Sequence, residues 1–90
     1  MALTYTVVVV REEDGRYTAF APALNDCASF GATLPEALQM VEEAISLYVE
    51  SRRARGWPVP PDDPHVALDM TEAAEAFVYK LAIREAAEVA

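Results

Sequence analysis

The stretch Thr33 to Gly56, TLPEALQMVEEAISLYVESRRARG, constrains the fold more than any other part of the chain. It reads as one amphipathic helix with both ends marked. Thr33 and Glu36 have the spacing of a capping box, in which the hydroxyl accepts one orphan N–H and the carboxylate reaches back to another. Pro35 falls in the first turn, where a missing N–H costs nothing. Gly56 stands where a left-handed residue closes a helix, and Arg52, Arg53 and Arg55 crowd the last turn, where the helix dipole favours cations. Leu34, Leu38, Val41, Ile45, Tyr48 and Val49 recur at three- and four-residue steps, a stripe that must face a core. A second apolar line, Met40, Ala44 and Leu47, points elsewhere and suits another element or another chain.

Ninety residues make one domain with a modest core. A composition 53% hydrophobic and 24% charged, without low-complexity tracts, is that of a soluble globular protein. No apolar run is long enough to span a bilayer. The run Val7 to Val10 has no basic segment before it and is too short for a signal peptide core. With a single cysteine and so no internal disulfide, the expected compartment is the cytoplasm. The formal net charge of −8 argues against general binding to nucleic-acid phosphates and is compatible with a basic protein partner.

Thr4 to Arg11 reads as the first strand. Val7 to Val10 breaks the in/out alternation of a half-exposed strand, so this one is central with both faces covered. Asp14-Gly15 signals a hairpin in which both turn positions need positive φ. Arg16 to Ala21 is the second strand, stopped by Pro22, and Cys27 to Ala32 the third, with Phe30 as its large apolar contribution. Small Gly31 and Ala32 allow close approach just before the helix. After Gly56, WPVPPDDP forbids regular structure, and Trp57 and Val59 are expected to pack back on the domain. His65 to Met70 can form a fourth strand, parallel to the first after a helical crossover. Thr71 to Ala90 reads as a second helix, apolar on two sides, with Asp69 and Glu72 at capping-box spacing. The expected fold is α+β, ordered βββαβα, an antiparallel three-stranded meander followed by a crossover helix and a fourth strand. It is one domain over 1–90, with a core at 1–70 and the C-terminal helix at 71–90.

That order is the start of a ribonuclease-H-like topology. An active enzyme of that kind needs clustered carboxylates for two divalent metals, and the first strand, TYTVVVV, has none. Cys27 beside Asp26 lacks a nearby base, and an adjacent acid raises a thiol pKa. His65 is the only histidine, and no Cys/His spacing suits a metal. There is no GxxxxGK[ST], GxGxxG or GxSxG. No catalytic, cofactor-binding or metal-binding residue is therefore assigned.

A Tyr-headed first strand (Tyr5), the Asp-Gly hairpin, Tyr17-x-Ala19 before Pro22, then Leu24, Cys27, Gly31, Thr33, Glu36, Ala37 and Leu38 form one pattern. It continues through Glu43, Ala44, Ile45, Tyr48 and Gly56 to Pro58 and Pro60. Over about Thr4 to Pro61 the chain resembles the HicB-type antitoxin family, including its small stand-alone members. The resemblance implies a degenerate, partial ribonuclease-H-like fold without catalytic activity, and dimers or higher oligomers. It also implies a partner, a small basic mRNA-cleaving toxin whose catalytic histidine the antitoxin masks. Asn25-Asp26 replaces the Pro-Gly that usually precedes the cysteine, which puts an acid at that turn. Many members bind an operator through a C-terminal DNA-binding domain. A helix-turn-helix needs two helices and a turn, which one helix over 71–90 does not supply, so operator binding is not expected here.

Two functions compete with catalysis. One is a protein-binding antitoxin that contacts its toxin through Glu12, Glu13, Asp14, Asp26, Glu42 and Glu43. The other is a stand-alone oligomeric structural or regulatory protein without a toxin. The surplus apolar side chains Met40, Leu47, Phe77, Tyr79 and Ile83 mark the expected oligomer interface, since small monomers rarely leave so large a patch in water.

Overall fold

β-Branched side chains suit a pleated backbone buried on its faces, and a run dense in them, Leu3–Glu12, forms the ten-residue strand β1. The computed structural model describes residues 3–24, 27–63 and 73–83. After β1 come β2 (Tyr17–Ala21), a 3-10 turn (Pro22–Leu24), β3 (Cys27–Gly31), the helix α1 (Leu34–Ala54) and β4 (Ala73–Ile83). One sheet holds the strands in the order β3-β2-β1-β4, and every neighbouring pair is antiparallel. The expected meander is present, and β1 is interior. Val7, Val8 and Val9 are all fully buried, so both faces of this strand are covered.

The hairpin differs from the two-residue turn expected of Asp14-Gly15. Glu12 N–H donates to the Arg16 carbonyl at 2.8 Å and Gly15 N–H to the Glu12 carbonyl at 3.0 Å, so Glu13, Asp14 and Gly15 form a three-residue loop. Gly15, at φ 91°, supplies the left-handed residue that closes such loops. Asp14 holds this form by accepting from the Arg16 N–H at 3.0 Å and its Nε at 2.8 Å.

Helix α1 starts and stops as its sequence dictates. The Thr33 hydroxyl accepts from the Glu36 N–H at 3.2 Å, and the Glu36 carboxylate accepts from the Ala32 N–H at 3.3 Å, one residue upstream of the usual box. At the other end Gly56 has φ 71°. Its N–H donates to the Arg53 carbonyl at 3.1 Å while Trp57 N–H donates to the Arg52 carbonyl at 2.9 Å, a Schellman closure. Ala37, Val41, Ile45 and Val49 are buried, and Leu34, Leu38 and Tyr48 flank them, so the expected stripe does face the sheet. It packs on Tyr5, Val7, Val9, Ala19 and Ala21. Burying a side chain such as Ile45 contributes roughly 1.5–3 kcal/mol. Gly31 lets β3 meet the helix: a Cβ there would lie 2.4 Å from the Ala37 nitrogen and 2.8 Å from its Cα.

One expectation fails at the C-terminal part. The segment read as a helix is a strand where it is described, since Ala73–Ile83 pairs with β1 from Glu12↔Ala73 to Leu3↔Ile83. This strand, β4, runs antiparallel to β1. The strand expected over His65–Met70 lies outside the described residues, as does 84–90. The physical reason is period two. Phe77, Tyr79, Leu81 and Ile83 turn to the helix side, where Ile83 is fully buried and the other three pack against the core. Val78 and Lys80 pair with Val8 and Thr6 on the opposite face. Ala, Glu and Lys are good helix formers, but intrinsic propensity is a weak prior that tertiary context overrides, and pairing along the whole of β1 outweighs it.

The segment after the helix crosses the sheet at a polar clasp. The Tyr5 hydroxyl donates to the Pro60 carbonyl, and two residues on, Asp62 accepts from the Thr6 N–H at 2.8 Å and the Thr6 hydroxyl at 2.9 Å. Glu12 N–H faces β2, so by strand alternation Thr6 N–H faces the same way, past the last β2 pair at Val8↔Phe20. Asp62 thus satisfies a buried donor that β2 is too short to reach. Lys80 Nζ closes the cluster, 2.8 Å from the Thr6 hydroxyl and 3.0 Å from Asp62. Burial opposes the charge on Asp62, but the Thr6 N–H, Lys80 and the Thr6 hydroxyl outweigh it and hold the carboxyl below its ordinary value of 3.8.

Replacing Gly31 by Ala is expected to cost about 1–3 kcal/mol, because the helix backbone itself must shift. Gly56→Ala, with nothing within 4 Å of the added carbon, carries only the left-handed penalty of about 1–2 kcal/mol. Urea denaturation of both variants checks the order. Asp62 is depressed in the folded chain, so its contribution is complete above pH 3.8 and is lost as pH falls through the lower folded value. In Asp62→Asn this acid-side loss should shrink, measured as the thermal midpoint between pH 5 and pH 2 against the parent.

Candidate functional site

An open groove of about 660 Å³ lies where the hairpin meets the start of α1, lined by Glu12, Asp14, Arg16, Thr18, Phe30, Gly31, Ala32 and Glu36. Strand parity builds it. Gly31 must face the helix for the chain to turn into α1, so its neighbour Phe30 faces away, beside Thr18 in register. Phe30, the large apolar side chain of β3, is 69% exposed. Glu12 lies on the same face and accepts from the Thr18 hydroxyl at 3.2 Å. Glu36 adds its carboxylate from the first helical turn.

The charges here are unevenly matched. Arg16 and Asp14 form an exposed ion pair at 2.8 Å. The Arg16 N–H and then its side chain hold the Asp14 carboxyl below its usual range, and Asp14 raises Arg16 in return. Arg16 also feels the charge of Glu12, so three carboxylates of the groove, Glu12, Asp14 and Glu36, share one cation beside the exposed Phe30 ring. What the groove offers is acceptors, negative charge and an apolar face.

Of the residues expected to meet a partner, the structure brings Glu12 and Asp14 into this groove and leaves Glu13 exposed beside it on the loop. Glu42 and Glu43 are exposed on α1 and do not line it. Asp26 lies outside the described residues. Phe30, Thr18 and Glu36 were not among the residues expected to meet a partner, and the signal for Phe30 was the parity of Gly31. Of the residues expected at an oligomer interface, Met40 and Leu47 are exposed, Leu47 by 67%. Phe77 and Tyr79 are half-buried on the edge strand with ring centroids 6.5 Å apart, and Ile83 is in the core.

At the far end of the helix a second cluster forms. Arg52 stacks on Tyr48 and Trp57 at 5.6 Å each, and its Nε donates to the Pro58 carbonyl at 2.6 Å. Arg55 lies 4.9 Å over the Trp57 ring. Val59 packs on the core as expected, while Trp57 stays half exposed. Burial pushes the Cys27 thiol up, away from thiolate reactivity. Among the described residues no three His, Cys, Asp or Glu side chains gather to hold a metal ion, and no helix is long and apolar enough to cross a membrane.

The chain is 51% identical over 59 residues to the UPF0150 protein ssr1765 of Synechocystis sp., covering 66% of this chain and 75% of that one. It is 39% identical over 61 residues to the UPF0150 protein Ta0767 of Thermoplasma acidophilum, covering 68% and 88%. The fold is that of the crystallised N-terminal domain of the Burkholderia pseudomallei antitoxin HicB, with a TM-score of 0.68 at 19% identity, over 91% of this chain and 99% of that domain. A family model described as "HicB_like antitoxin of bacterial toxin-antitoxin system" matches residues 5–88. With nearly the whole chain matched, the protein belongs to the HicB-like antitoxin family of bacterial toxin–antitoxin systems.

Proposed function

We propose that this protein is a non-catalytic antitoxin that neutralises a small basic mRNA-cleaving toxin by direct contact. Family membership gives the class of activity. The observation that carries the contact is the hairpin-end groove, where the carboxylates of Glu12, Asp14 and Glu36 outnumber the one cation, Arg16, beside an exposed Phe30. A basic partner would find charge to steer it and an aromatic ring to bury, the combination that anchors protein interfaces. Glu13 on the loop and Glu42 and Glu43 along the helix extend the acidic field around that contact.

A second reading is a stand-alone oligomer of the same fold. Exposed Met40 and Leu47 on α1 and the half-buried Phe77–Tyr79 pair on edge strand β4 support self-association. Self-association through these apolar groups is compatible with the first reading, because they and the groove residues do not overlap.

Binding to the product of an adjacent toxin-like gene, followed across a salt series, tests the first reading. Replacing Glu12, Glu13 and Asp14 by Ser, Ser and Asn should lower the association rate about tenfold at low salt and flatten its salt dependence. Unchanged rates would remove the hairpin from the interface. No binding to any small basic protein would leave the stand-alone oligomer. The chain alone should leave RNA and DNA intact with magnesium or manganese. Cleavage that disappears when Glu43 and Asp69 are changed together would refute the non-catalytic reading.

A further inference from the structure

The two ends of α1 carry opposite chemistry. One end holds the groove, with the Glu12 and Glu36 carboxylates and the exposed Phe30 ring. The other, about 30 Å away at 1.5 Å per residue, holds Arg52, Arg53 and Arg55 with the half-exposed Trp57. Three of the seven basic residues of the chain fall within these four positions, on a protein whose net charge is −8. We propose that the groove of one copy receives the arginine–tryptophan end of a second copy, so that the chains associate head to tail.

The two surfaces match in kind. The groove presents carboxylates beside an aromatic ring, and the helix end presents guanidinium groups beside an indole. Arg52 is already fixed between Tyr48, Trp57 and the Pro58 carbonyl, and Arg55 is laid over the indole. Side chains held in place before contact lose less freedom on binding, and the planar guanidinium suits bidentate pairing with a carboxylate. Trp and Arg are also the side chains most often found as interface anchors. Copies with charge −8 repel at long range, but screening within about 8 Å at physiological ionic strength leaves local pairing to decide the contact. A head-to-tail contact leaves one free groove and one free basic end on every pair, so it generates rings or open chains rather than a closed dimer. This contact does not depend on the toxin reading, and because it uses the same groove, a second copy and a toxin exclude one another there.

The test uses donor- and acceptor-labelled full-length chains and energy transfer between them. The groove variant is Glu12→Gln with Phe30→Ser; the basic-end variant is Arg55→Gln with Trp57→Ser. Circular dichroism first establishes that each is folded, and the single changes Phe30→Ser and Arg55→Gln replace them if either is not. The parent should associate with itself, and each variant with itself about tenfold more weakly. Mixing the two variants should restore pairing, because the mixture still holds one intact groove and one intact basic end. A symmetric contact elsewhere would pair all mixtures alike, so equal transfer in every mixture overturns the proposal. So does a mixture no better than the variants alone, or a parent that shows no transfer at roughly 100 μM.

Discussion

A strand apolar on both faces cannot lie at the surface of a small domain, and β1 is such a strand. Val7 and Val9 need the helix, Val8 needs cover on the other side, and all three are fully buried. Both of its long edges must also find hydrogen-bond partners. The hairpin supplies one with β2, and β4 supplies the other along the whole strand. Where β2 ends early, the Asp62 carboxylate serves the remaining donor at Thr6. The helix, the extended segment after it and the last strand are thus placed by the needs of β1. The small residues Ala19 and Ala21 on β2, with Gly31 on β3, then set how closely α1 can lie.

The parts legible in the sequence were those encoded locally. Thr33, Glu36, Pro35 and Gly56 fix the ends of α1 through bonds within a few residues, and its stripe has one clear period. The density of valine in β1 and the Asp-Gly turn are equally local. The end of the chain was misread because AAEAFVYKLAI holds two patterns at once. Its Ala, Glu, Lys and Leu favour helix, while Phe77, Tyr79, Leu81 and Ile83 alternate as a strand. Only the unpaired edge of β1, distant in sequence, decides between them. Asp62 was illegible for the same reason, since nothing near it announces Thr6 as its partner. The groove was half legible. Its hairpin acids stand out, but Phe30 and Glu36 join them only once the parity of β3 and the direction of α1 are known.

The charged and aromatic groups of the groove and of the helix end lie on surfaces that the core leaves free. The strand ends nearest the hairpin carry carboxylates that have no structural partner equal to their charge. The helix C-terminus gathers arginines because the dipole favours them there, and Trp57 keeps them stacked. Burial raises the Cys27 thiol above its ordinary pKa, which disfavours the thiolate. The proposed contacts with other macromolecules use these charged and aromatic faces, in keeping with membership in an antitoxin family.

The claim on which the account rests is that the segment Ala73–Ile83 completes the sheet against β1. Backbone carbon chemical shifts of the isotopically labelled protein test it most directly. The account predicts extended-chain shifts from Ala73 through Ile83, with cross-strand contacts between Val7 and Tyr79 and between Val9 and Phe77. Helical shifts over that segment, without those contacts, would contradict it.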